Sequence, residues 1–137
     1  MTELKSCEFA LDDGPEWLWR QVHPNFVSAD LVSAEAFVGT PEARSEVSTV
    51  RSSVRTAEQA FVYHTTDLGL ASAASWAVSV DEVKATGSRA IDDAACDGVE
   101  TPGHSYVDMR GLAKPDRRLA RASLARQATE RGRQFPA

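Results

Sequence analysis

Residues 73–80, AASWAVSV, alternate large apolar and small side chains with period two, and the pattern runs directly into Ser79 and Glu82, the spacing of a helix capping box. The box predicts a short helix through Val83 that ends before Gly87. Trp76, Val78 and Val80 would form one face of a central strand, and the small residues on the other face imply a closely packed neighbour.

The remaining segments add short strands and helices in irregular order. Residues 17–23, WLWRQVH, form a strand halted by Pro24, with Trp17, Trp19, Gln21 and His23 on one face and Leu18, Arg20 and Val22 on the other. Arg20 thus lies between two apolar neighbours on its own face. Residues 31–38, LVSAEAFV, fit a strand, although Ala34, Glu35 and Ala36 would also suit a short helix, and residues 47–51 read as a further strand. Thr56 and Gln59 have the form of a capping box opening a helix to about Thr65, with Ala57, Ala60, Phe61 and His64 on one face and Phe61 directed at the sheet. A brief strand at 89–91, an acidic loop at 92–103 and a strand at 104–111 precede a helix from Lys114 to about Arg131. At 100° per residue, Leu119, Ala120, Ser123, Leu124, Gln127 and Ala128 cover one half of that helix, and Arg118, Arg121 and Arg126 lie in the other, with Arg117 at the border. Residues 1–14 form an arm closing in a turn, with scope for an edge strand, and 132–137 a flexible tail. The fold class that follows is α+β: a small mixed or antiparallel sheet with two main helices and a basic C-terminal helix. At 137 residues the chain fits one domain and can bury a core without disulfides or a metal.

The net charge of −5 argues against a nucleic-acid surface, but it is unevenly spread: the stretch from Lys114 onward carries +5 and the rest −10. The basic helix should therefore pack beside an acidic body. Alternatively Arg117, Arg118 and Arg121 form a compact cluster for an anionic partner. No apolar stretch is long enough for a membrane span, and the first thirty residues are acidic without the apolar core of a secretory signal, so a cytoplasmic location is expected. Cys7 and Cys96 are too few for a disulfide scaffold and lie in no metal-type spacing. His23, His64 and His104 are isolated, and no metal is expected.

No Walker loop, GxGxxG, HExxH, CxxC or GxSxG is present. The strand LWR (Leu18, Trp19, Arg20), followed by the run STVRSSVRTAEQAFVYH from Ser48 to His64, resembles the layout of RES-type domains, small toxin-like proteins that cleave NAD on an ADP-ribosyltransferase-like fold. The resemblance implies NAD as a substrate rather than a tightly held cofactor, Arg20 as an early arginine, and a glutamate on the helix. The family places that glutamate four residues after the threonine, at Ala60 here, whereas this chain has Glu58, two residues after. Cleaving the N-glycosidic bond leaves an oxocarbenium-like sugar, so it calls for a carboxylate, and a planar cation holds the pyrophosphate. Arg20 and Glu58 are the candidate catalytic pair, with Ser48, Ser52 and Tyr63 in support. The competing reading is a non-catalytic interaction, immunity or adaptor subunit that meets a protein partner through Trp17 and Trp19 or through the basic helix.

Overall fold

The structure, a computed structural model, describes residues 2–137. Among the described residues the elements are β1 (Phe9–Ala10), β2 (Trp17–Val22), β3 (Val27–Ser28), β4 (Leu31–Val32), β5 (Glu46–Arg51), α1 (Ala57–Val62), β6 (Ala74–Ser79), α2 (Val80–Ala85), β7 (Arg89–Asp92), β8 (His104–Asp108) and α3 (Lys114–Arg131). Six strands form one antiparallel sheet in the order β1-β7-β8-β5-β2-β6, and β3 and β4 form a separate hairpin. The class is α+β.

The junction after residue 79 folds as its spacing requires. Ser79 Oγ accepts from Glu82 N while the Glu82 carboxylate accepts from Ser79 N, and α2 starts at Val80. Two expectations about this segment are corrected. Val80 is the first helical residue rather than the last of the strand, although it is fully buried. And β6 is the terminal strand, not a central one: β2 pairs it from Trp17↔Ser79 to Val22↔Ala74. Its outer side is closed by the chain end, where Ser75 N donates to Phe135 O at 2.7 Å and Gln134 N donates to Ser75 O at 2.9 Å. Gln134 and Phe135 of the expected tail are therefore held against β6, whereas Arg133, Pro136 and Ala137 are exposed. Phe61 also departs from its expected place, meeting Phe135 edge-on at 5.5 Å.

The sheet separates two apolar layers. Leu18, Val22, Trp76 and Val78 face the main core with Val47, Val107, α2, α3 and the short helical turn Ala34–Phe37. On the opposite face Trp19 and Ala77 meet Ala57 and Ala60 of α1, so the small side chains of β6 do admit a helix at close range. The α3 stripe that faces the core is Ala120, Leu124, Ala125 and Ala128; Leu119, expected inward, is 69% exposed because the stripe is turned toward Ala125.

Cys7 and Cys96 form a disulfide that ties the N-terminal arm to the acidic loop. Disulfides are rare in reducing compartments, so this bond does not favour the cytoplasmic expectation. Among the described residues no helix is long and apolar enough to cross a membrane.

Candidate functional site

β5 pairs with β8 from Glu46 to Val50, and β2 pairs with β6 through Val22, but β2 and β5 pair with each other only at Leu18↔Arg51 and Trp19↔Val50. Beyond Trp19 the sheet forks. A cleft of about 240 Å³ opens there, with Trp19, Arg20 and Gln21 from one arm and Ser48, Thr49 and Val50 from the other. Tyr63, His64, Leu68 and Leu70 close it from the side of α1, Thr40 comes from the loop before β5, Thr101 from the loop before β8, and His104 is the first residue of β8. Tyr63 and His64 lie on a π-helical turn, Tyr63–Asp67, that continues α1, a widened turn of the kind that recurs at functional sites.

Arg20 sits at the root of the fork. Its Nε donates to Ala36 O at 2.8 Å, Nη1 to Ser48 O at 3.0 Å and Nη2 to Val38 O at 3.4 Å. A guanidinium carries five N–H donors, so these three carbonyls leave two for another acceptor. No Asp or Glu among the described residues lines the cleft or pairs with Arg20. Burial of this unpaired cation pushes its pKa down to about 10. A positive centre thus stands uncompensated in a chain of net charge −5. The contrast with Arg51 is direct: that arginine is paired with Glu16 and with Asp92, each at 2.8 Å.

Burial also holds the His64 imidazole below its ordinary pKa, the ring's donation to the Ala71 backbone carbonyl opposes this, and the charge on Arg20 adds to the lowering. His64 therefore sits neutral in the wall at neutral pH. His104 has a different setting. Its Nδ1 lies 2.6 Å from Asp93 Oδ1, both side chains being largely buried. Gly103 makes that placement possible: its φ is +71°, and a Cβ there would come within 2.8 Å of Val54 Cβ.

The cleft gathers three of the residues singled out from the sequence, Arg20, Ser48 and Tyr63, and leaves out Ser52 and Glu58. Ser52 Oγ accepts from Trp17 N at 3.1 Å and locks β2 to the end of β5. Glu58 is exposed in the first turn of α1, where a carboxylate complements the helix dipole. His64 and the Asp93–His104 pair were not singled out, because each histidine stands alone in sequence. The readable signal was the β7–β8 hairpin: with Asp92 opposite Ser105, the next positions outward are Asp93 and His104. Among the described residues no three His, Cys, Asp or Glu side chains converge as a metal would require.

Neither proposed partner surface is laid bare. Trp19 is 8% exposed and its Nε1 donates to Arg55 O. Trp17 lies beneath Arg131, whose guanidinium carbon is 4.9 Å from the ring centroid. On α3, Arg117 donates to Leu112 O, and Arg121 donates to Phe37 O and Arg44 O, which leaves Arg118 as the exposed member of the trio. The acidic body does engage the helix end, where Arg131 meets Glu82 at 2.9 Å. Compared with models of protein families, with curated proteins and with solved structures, the chain matches none.

Proposed function

We propose that the forked cleft binds a nucleotide of the NAD class and that the chain cleaves it at the N-glycosidic bond of nicotinamide. The observation that carries the reading is Arg20: a cation held by three backbone carbonyls, with two donors left and no acidic partner, at the root of a cleft. A phosphate or pyrophosphate oxygen is the acceptor that best suits two adjacent guanidinium N–H groups. Trp19, Leu68 and Leu70 supply apolar wall for a ring, and Tyr63, Ser48, Thr40 and Gln21 supply polar edges for ribose hydroxyls. The resemblance to RES-type domains supports the choice of NAD among nucleotides, and the absence of Glu58 from the cleft removes the carboxylate that the same resemblance would use.

The test is calorimetric titration of the chain with NAD, ADP-ribose and inorganic pyrophosphate, alongside chromatography of NAD after incubation. Binding of ADP-ribose with release of nicotinamide is expected. If none of the three ligands binds, the cleft is not a nucleotide site; if NAD binds but remains intact, the cleavage half of the reading fails alone.

A partner-binding reading has one feature in its favour: Leu119 is 69% exposed and borders a more open groove of about 470 Å³ that also takes in Ala85, Leu112 and Ala120. If that groove is an interface, Leu119→Glu abolishes recovery of a partner and leaves nucleotide binding unchanged.

A further inference from the structure

Of the two histidines that line the cleft, His104 has a carboxylate partner, and the pair is assembled from two residues on either side of a hairpin loop. Asp93 follows β7 directly, and its neighbours are fixed on both sides: Asp92 pairs with Arg51 at 2.8 Å, and Cys96 N donates to Asp93 O at 2.9 Å in the turn that the Cys7–Cys96 disulfide anchors. The Asp93 carboxylate, 2.6 Å from His104 Nδ1, places the ring proton on Nδ1 and leaves Nε2 as the nitrogen with a free lone pair. His104 lines the cleft that Arg20 anchors. His64, across the cleft, has no carboxylate partner among the described residues, and burial and the charge on Arg20 hold it below its ordinary pKa.

We propose that His104, positioned by Asp93, is the general base for hydrolysis in this cleft. The step rests on the reading given under Proposed function. A water oxygen forms a bond to C1′ of the nicotinamide ribose, the bond from C1′ to the pyridinium nitrogen breaks, and its electron pair stays on nicotinamide, which leaves neutral. The proton lost by the water passes to His104 Nε2 and from there to solvent. The products are ADP-ribose, nicotinamide and one proton, and no co-reactant is needed. The ion pair formed between protonated His104 and Asp93 steadies the positive charge, and Asp93 does so without touching substrate. Asp93 is thus a positioning residue, and the carboxylate the reaction calls for acts through the imidazole instead of from Glu58.

The experiment uses the full chain with its disulfide intact and compares wild type, His104→Ala, His104→Gln and Asp93→Asn, with ADP-ribose binding measured by calorimetry and nicotinamide release by chromatography. His104→Ala should bind ADP-ribose with unchanged affinity and release nicotinamide about 10² to 10⁴ times more slowly, the usual contribution of general acid–base catalysis. Added imidazole should restore part of that rate, which a merely structural histidine would not allow. Asp93→Asn should lower kcat while KM stays the same. His104→Gln, which keeps a polar side chain of similar length, serves if the alanine variant does not fold, with the same loss expected. Undiminished release by a folded His104 variant, or a loss in His104→Ala that imidazole does not restore, overturns the assignment and leaves the cleft a nucleotide site. Absence of nicotinamide release from wild type overturns both.

Discussion

Because Arg20 is an unpaired cation in the folded chain, an anionic ligand that reaches it should register as thermal stability. A ligand that binds only the folded state adds about 2.7 kcal/mol when present at 100 times its Kd. At about 2.1 cal/mol/K per residue, a chain of 137 residues unfolds with an entropy of about 0.29 kcal/mol/K, so the melting midpoint should rise by about 9 °C. Arg20→Met removes the two remaining donors, and charge-assisted hydrogen bonds contribute about 1.5–3 kcal/mol each. Taking the lower figure for both, affinity falls about 140-fold and the shift at the same ligand concentration shrinks to about 1 °C. Arg20→Lys should recover little of it, since an ammonium cannot both hold carbonyls 2.8 to 3.4 Å away and present two parallel donors. The apo form of Arg20→Met should itself be less stable by about 1–3 kcal/mol, because the carbonyls of Ala36, Val38 and Ser48 lose their donor. Differential scanning calorimetry with and without ADP-ribose measures both effects. A shift of full size in Arg20→Met would show that the ligand does not use this arginine.

Trp76→Ala should destabilise by about 3–5 kcal/mol in denaturant unfolding, whereas Trp76→Phe should cost less than usual for a buried tryptophan, because Trp76 Nε1 has no hydrogen-bond partner among the described residues; equal losses would contradict this. Burial and Arg20 keep the folded His64 pKa below its ordinary 6.5, so as pH falls through about 6.5 the unfolded chain takes up a proton that the folded chain refuses, and stability should drop until the folded pKa is passed. His64→Gln should flatten that limb in melts run between pH 7 and 5, and the Glu16, Glu82 and Asp108 carboxylates, all held below their ordinary values, should weaken the fold only at lower pH. The Cys7–Cys96 bond spans 89 residues of sequence, so replacing both cysteines with serine should cost about 2–4 kcal/mol, and an unchanged melting midpoint would refute a stabilising role.

Local signals read correctly wherever the cause was local. Both capping boxes form as their spacing requires, because the two bonds of a box join residues three apart and need nothing from elsewhere in the chain. The alternation of β2 likewise sends Leu18 and Val22 to the main core and Trp19 to the opposite layer. The failures were of another kind. Strong alternation in β6 says that both faces are buried and so predicts a central strand, but Gln134 and Phe135, far away in sequence, cover the free edge, and period two carries no information about neighbours on that side. The apolar half of α3 predicts Leu119 inward, yet Leu119 is exposed and Ala125 buried, because the inward direction of a helix rich in alanine is decided by what it docks against.

The same division explains the site. Arg20 could be singled out because a charge between Leu18 and Val22 violates the pattern of its own strand, and such a violation is visible without a structure. What Arg20 meets could not be seen, since it depends on β2 and β5 parting after Trp19↔Val50, and strand registers are tertiary facts. Only its place after Thr56 in sequence points to Glu58, and there the helix dipole alone accounts for it. Asp93 came from a segment with no periodic signal, and only the pairing of Asp92 with Ser105 brings it to His104. A carboxylate that acts through a histidine is set by that register, so moving Asp93 by one residue along the loop should leave the fold intact and uncouple the pair. The double variant Asp93→Asn, Ala94→Asp tests this: if the hairpin register makes the site, nicotinamide release stays as low as in Asp93→Asn alone, and recovery of the wild-type rate would show that any nearby carboxylate suffices.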